Sequence, residues 1–321
     1  MTRTFRSSRP IRALFLLAVA TIGRPGQLWA QSVERAIYVS VLDQGGAPVS
    51  NLTAGDVVVR EGGVPRAVLR VSAATDSLQI AVMVDTSQAI EPYLSAVQSA
   101  LRSFSREIQD RHERALFALD ERPTLIADYS RDPARLDAGI GSLRARTGRG
   151  ASVPDAIAEV SRGLRRRGAT RPVIVVITAE GSEPSEGDRQ AELNDLRETD
   201  ATVHVFVLGT VGASLVDETP REYENTSSQG VRASGERREE LMTVMTLGAR
   251  LQRLAAELNN QYLVVYAQPR SASPPDAVDV NVTRSWLTVH ASLAPRKPGT
   301  TCRIVETNTS RDQAFFGYQC R

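Results

Sequence analysis

Lysine is almost absent from this 321-residue chain: Lys297 stands alone against 38 arginines, a bias read as genome composition. Only 5% of residues are aromatic, and the chain has two cysteines and three histidines. His112, His204 and His290 are far apart, and His112-Glu113 lacks the second histidine of a zinc motif. His204 lies inside an apolar run, as a satisfied structural imidazole would. No G-x-S-x-G elbow exposes a nucleophilic serine. No G-K-[ST] is present, and Thr147-Gly-Arg-Gly-Ala-Ser152 fits neither glycine-rich phosphate fingerprint. Carboxylates are plentiful, but none forms a pair that sequence alone would bring together. Enzyme chemistry is therefore not expected. After residue 30 no apolar run nears the ~20 residues of a membrane-spanning helix.

The first 30 residues differ from the rest. Arg3, Arg6, Arg9 and Arg12 precede Ala13-Leu-Phe-Leu-Leu-Ala-Val-Ala-Thr-Ile22, and Leu28-Trp-Ala30 ends the stretch on a small residue. A basic head, a short apolar core and a small-residue end read as a secretory signal peptide over residues 1–30. An exported protein, periplasmic or extracellular, is the expectation. This segment holds five arginines and no acid, so its removal leaves 34 basic against 37 acidic residues and reverses the formal +2 charge. A basic surface for nucleic acid is thereby excluded. Cys302 and Cys320 fall in the last 20 residues. In an exported chain such a pair reads as a disulfide, closing a hairpin from 303–305 to 315–318.

With 41% hydrophobic residues the remainder is globular. Segments 36–42, 56–61 and 67–71 alternate as strands around turn residues such as Asp43-Gln-Gly-Gly-Ala-Pro48 and Gly62-Gly63. From residue 78 the period changes. Strands at 78–85, 114–119, 124–127, 172–178, 202–208 and 262–266 alternate with helices near 91–108, 132–142, 153–166, 187–198 and 236–258. Such alternation predicts an α/β class: a doubly wound, mostly parallel, Rossmann-like sheet. In the last helix Leu241, Val244, Met245 and Leu251 are expected inward, and Arg162–Arg167 is expected to cap the end of the 153–166 helix. A polar loop is expected over 210–235. Strands at 277–282 and 285–290 follow, with Trp286 and Tyr262 expected in the core. Three strands alone are marginal, so residues 31–75 and 268–295 are expected to form one smaller antiparallel β module. The α/β domain of 76–267 is then inserted between its halves, and 296–321 is a disulfide-closed tail.

Strand 78–85 is the most telling stretch. Continuous apolar residues end in Asp85-Thr-Ser87, and in open α/β sheets ligands sit at the carboxyl ends of strands. Asp85 and Ser87 are thus placed at the sheet rim, where oxygen atoms hold hard cations. The pattern resembles the D-x-S-x-S opening of von Willebrand factor A domains. With Val41–Asp56, the Gly150–Ile157 loop, the 172–181 strand end and Gln261–Tyr266, the chain resembles secreted bacterial VWFA-related domain proteins over most of its length.

That resemblance implies a metal-ion-dependent adhesion site built by three loops. Asp85 and Ser87 match its first two positions, while Ala89, Ala151 and Ala179 stand where the remaining ligands belong. Methyl groups cannot coordinate a cation. Ser152 and Glu180 are one residue away and are the compensating candidates, although in a strand such a shift reverses the side-chain face. The expectation is a degenerate metal site with no cofactor, in a non-enzymatic module that contacts a protein or other extracytoplasmic macromolecule through its rim loops. A divalent-metal-dependent adhesion domain using Mg²⁺ or Mn²⁺ at a repaired site is the alternative, and a hydrolase with an unrecognised site is the second.

Overall fold

The structure, a computed structural model, describes residues 32–147, 152–179, 201–209, 231–232, 237–269, 277–294, 302–307 and 315–320. The expected signal peptide and the helix at 187–198 lie outside them.

Four strands open the chain: β1 (Ser32–Leu42), β2 (Val57–Glu61), β3 (Val64–Arg66) and β4 (Val68–Ala73). The α/β part follows as β5 (Gln79–Asp85), α1 (Leu94–Glu107), β6 (Glu113–Leu119), β7 (Pro123–Ser130), α2 (Pro133–Ser142), α3 (Val153–Arg166), β8 (Pro172–Ala179) and β9 (Thr202–Leu208). Then come β10 (Val231–Arg232), β11 (Arg237–Leu241), α4 (Leu247–Asn259), β12 (Tyr262–Pro269), β13 (Ala277–Val282), β14 (Thr288–Leu293), β15 (Cys302–Thr307) and β16 (Phe315–Cys320).

Six strands form the α/β sheet in the order β11-β9-β8-β5-β6-β7. All pairs are parallel except β6–β7. The winding reverses between β5 and β8, which is the topological switch point of a doubly wound sheet. A strand covered on both faces must be apolar throughout, and β8 is buried at every position. Alternate residues of β5 serve different layers. Ile80, Val82 and Val84 pack with Leu101 and Phe104 of α1, Ile140 of α2 and Leu251 of α4. Ala81 and Met83 pack with Ile157, Val160 and Leu164 of α3. Arg165 and Arg166 occupy the last turn of α3, where cations suit the helix dipole. Gly168, at φ +69°, ends that helix in a backbone conformation that favours glycine.

The flanking segments, joined by the short β10 from within the α/β stretch, build two antiparallel four-stranded sheets, β14-β1-β12-β4 and β10-β13-β2-β3. They bury Ile37, Val39, Val57, Val59, Val264, Tyr266, Val278 and Val280 in one apolar core. Both sheets therefore draw strands from before and after the α/β segment. In the C-terminal hairpin the backbone register sets Cys302 opposite Cys320.

Several expectations need correction. Segment 262–266 closes the antiparallel sheet, between β1 and β4, and not the parallel one. Its apolar run suits either position, and only the partner strands decide. The helix expected over 236–258 starts at Leu247, because Arg237–Leu241 pairs in parallel with β9 instead. Residues 231–232, expected in a loop, pair with β13. The last expected strand begins at 288, and Trp286 lies in the preceding turn at φ 65° with 80% exposure. Among the described residues no helix is long and apolar enough to cross a membrane.

His112 is wholly buried and its Nδ1 accepts a 3.0 Å hydrogen bond from the Leu78 amide. Burial, followed by the charges of Arg111, Arg171 and Arg114, pushes its pKa down to about 3. The unfolded chain therefore binds the proton first, and stability present above pH ~6.5 declines as pH falls toward the folded value. Between pH 8 and pH 5 this group should remove about 2 kcal/mol. Urea unfolding of the wild type and of His112→Gln checks it: the substituted protein should show a smaller pH-dependent loss.

Candidate functional site

Parallel strands all end at one edge of the sheet, and the switch point sets the ends of β5 and β8 side by side there. Asp85 is the last residue of β5 and is 2% exposed. A buried carboxylate needs donors, and among the described residues these include three that converge on this one. The Ser87 amide donates to Oδ1 at 2.7 Å. The Thr178 hydroxyl donates to Oδ2 at 3.1 Å, and the Ala179 amide donates to the same oxygen at 3.4 Å. Asp85 thus ties the end of β5 to the end of β8.

The neighbouring residue works in the other direction. Thr86 donates through its amide (2.9 Å) and its hydroxyl (2.8 Å) to the Leu119 carbonyl at the end of β6. Its own carbonyl accepts from the Arg146 amide at 2.8 Å. Arg146 in turn forms a 3.2 Å ion pair with Asp120. Three strand ends and the segment after α2 are therefore joined through two consecutive residues.

The expected ligand positions fall as follows. Asp85 and Ser87 share the rim with Thr178 and Ala179. Ala89 sits exposed in the 3₁₀ turn Gln88–Tyr93. Ser152 caps α3, its Oγ accepting from the Asp155 amide at 3.5 Å. Ala151 and Glu180 lie outside the described residues. Among the described residues no group of three or more His, Cys, Asp or Glu side chains is placed to hold a metal ion. A divalent cation wants several preset oxygen ligands in near-octahedral array. Here both Asp85 oxygens already accept protein hydrogen bonds, and Ala89 and Ala179 carry methyls. Of the expected positions that are described, Asp85, Ser87 and Ser152 offer side-chain oxygen, and Ala89 and Ala179 do not.

The rim also has features that the sequence did not signal. Met242 and Met245, on the loop leaving β11, are 70% and 81% exposed. Met245 was expected inward on a helix. The loop instead forms a cap, with the Thr243 hydroxyl accepting from the Met245 amide at 3.4 Å. Thr243 caps the 3₁₀ turn Val244–Thr246, and Thr246 stands at the N-cap of α4, both residue types that favour a helix start. At the opposite side of the rim, a groove of about 320 Å³ lies between the β6–β7 turn and α3, lined by Glu121, Arg122, Ser152, Asp155, Glu159 and Arg162. Arg122 and Glu159 face each other across it at 3.5 Å.

Residues 80–182 match the family model described as von Willebrand factor type A domain. No curated protein matches the chain in sequence. Similar solved structures include a von Willebrand factor type A protein from Catenulispora acidiphila, at 10% identity over 91% of this chain and 74% of that one, with a TM-score of 0.45. The conserved hypothetical protein BatB from Bacteroides thetaiotaomicron is 13% identical over 57% of this chain and 100% of its own, with a TM-score of 0.42. The vWF domain of the type V pili tip protein Mfa5 from Porphyromonas gingivalis is 11% identical over 58% of this chain and 96% of its own, with a TM-score of 0.41.

Replacing Asp85 by alanine strands two amides and a hydroxyl in a buried place. Each uncompensated group costs about 1–3 kcal/mol, and partial relaxation should leave a net loss of about 3 kcal/mol in chemical unfolding. Asp85→Asn keeps one acceptor and should lose roughly half as much. A stability unchanged by Asp85→Ala would contradict the tie between β5 and β8.

Proposed function

Because the chain carries a von Willebrand factor type A domain, we propose that it is an exported, non-enzymatic interaction module that binds a macromolecular partner through its rim, without a resident metal. The observation that carries this reading is the state of Asp85: the one remaining acid of the motif is used as a structural acceptor between β5 and β8. Among the described residues the rim offers a partner exposed apolar side chains on the loop leaving β11. Met242 and Met245 supply flexible, polarizable side chains suited to a protein surface. The three histidines support the non-enzymatic half, since each is engaged away from the rim. His112 serves the Leu78 amide, and His204 and His290 belong to a cluster with Arg237 and Glu257. Export rests on the basic-then-apolar composition of residues 1–30.

A pull-down from the organism's own envelope fraction tests the reading, with wild type compared against a Met242→Glu/Met245→Glu double variant. A partner retained in EDTA, and lost at least tenfold by a variant of unchanged thermal stability, is the expected result. Retention that needs Mg²⁺ or Mn²⁺ would favour the metal-dependent alternative. So would calorimetry showing a site tighter than about 0.1 mM that Asp85→Ala abolishes. Turnover of ester or peptide substrates by the purified protein would overturn the non-enzymatic part.

Export also bears on the tail, where Cys302 and Cys320 face each other across the hairpin register. A bridge there closes a loop worth on the order of 3 kcal/mol in the chain-entropy model. Thiol titration of unreduced, denatured protein should find none free; two reactive thiols would exclude the bridge.

A further inference from the structure

The chain has four methionines, and beyond the expected signal peptide these are Met83, Met242 and Met245. Met83 lies in β5 with no exposure, packed with Ile157, Val160 and Leu164 of α3. Met242 and Met245 are 70% and 81% exposed on the loop that leaves β11. One thioether is thus sealed in the core, and two stand in solvent at the sheet rim.

The other side chains from Leu241 to Leu247 hold this turn in place. Leu241 and Leu247 are buried in the core that α4 covers, and Val244 packs against it. The Thr243 hydroxyl accepts from the Met245 amide at 3.4 Å. The Thr246 amide and hydroxyl donate to the Thr243 carbonyl at 3.1 and 2.8 Å. These bonds use the Met245 backbone and neither thioether. Leu241, Val244 and Leu247, three residues apart, go inward, and the two methionines repeat that spacing one residue later and go outward. Residues three apart share one side of a 3₁₀ turn such as Val244–Thr246.

Leucine would offer comparable apolar area at these two places. What methionine adds is a sulfur that accepts an oxygen atom. Oxidation to the sulfoxide makes a flexible apolar side chain polar, and methionine sulfoxide reductases reverse it. We propose that Met242 and Met245 form a reversible oxidation site, through which peroxide-class oxidants switch the rim from apolar to polar. This rests on the reading of the rim as a binding surface and adds its regulation. In each step the sulfur lone pair attacks one oxygen of hydrogen peroxide, an S–O bond forms and the O–O bond breaks. The sulfur gives up two electrons, and the departing hydroxide takes the proton from the transferred oxygen and leaves as water. Because the leucines, Val244 and the threonines hold the turn, both sulfoxides form without unfolding it. Met83 is shielded as long as the sheet is folded.

Peptide mapping of the signal-free chain after treatment with dilute hydrogen peroxide tests this. Met242 and Met245 should each gain one oxygen at least about tenfold faster than Met83, following their exposure, with thermal stability unchanged. The oxidised chain should elute earlier from a hydrophobic-interaction column, and treatment with the two sulfoxide reductases should restore the original elution. In the envelope pull-down it should retain about tenfold less partner, whereas a Met242→Leu/Met245→Leu variant should retain the partner with or without peroxide. Met83 reacting as fast as the other two would overturn the inference. So would unchanged elution of the oxidised chain, an equal shift in the peroxide-treated leucine variant, or full retention of the partner after oxidation. If the untreated chain captures no partner, the rim reading fails by itself, and the mapping and elution still decide whether the oxidation site exists.

Discussion

The chain leaves the antiparallel module after β4 and returns to it at β12, and those two strands are hydrogen-bonded neighbours. The Ala74 amide donates to the Gln261 carbonyl at 2.8 Å, tying the segment that leaves β4 to the one that enters β12. Arg171, 2% exposed, fills that junction. Its Nη1 donates to the Asp76 carbonyl at 2.5 Å and its Nη2 to the Gln261 side chain at 2.7 Å, while its guanidinium lies 4.7 Å from the Tyr38 ring centroid. Burial lowers its pKa to about 10, so the cation persists at neutral pH and must be satisfied where it is. Truncating the Gln261 side chain would take one acceptor from a buried cation, which costs about 1.5–3 kcal/mol.

Anchoring at the amino ends of the strands has a consequence for the other end. The described loops after β5, β6 and β11 emerge at the carboxyl ends of their strands, away from the antiparallel module. At their centre the Asp85 and Thr86 hydrogen bonds make the loop bases rigid. At the edge Met242 and Met245 stand out in solvent. A rigid base with adaptable apolar contacts suits recognition, because little conformational freedom is lost on binding.

The two ends differ in how they use charge. At the rim the described donors to Asp85 are two backbone amides and a hydroxyl. At the junction Arg171 meets neutral acceptors and an aromatic face, and is equally fixed. The cluster around Arg237 is different, since one carboxylate is set among a guanidinium and two imidazoles.

Much of this was legible locally. The continuous apolar runs of β5 and β8 identify buried parallel strands, because a strand covered on both faces has no polar position to spare. The change of period at residue 78 marks the boundary between the antiparallel and α/β parts. The alanines at 89, 151 and 179 bear on the metal reading by identity alone. Other features depend on partners distant in sequence. An apolar run such as Tyr262–Tyr266 suits either sheet until β1 and β4 claim it. Arg237–Leu241 carries helix-compatible residues, yet its amides and carbonyls are taken up by β9. Met245 has a helical spacing from Leu241 that means nothing once the backbone there is a strand and a capped turn. The meeting of His204, Arg237, Glu257 and His290 joins residues up to 86 positions apart. Local propensity settled what each segment is able to form; only the tertiary pairing decided which face was covered, which side chains met, and which acid was left to hold two strand ends together.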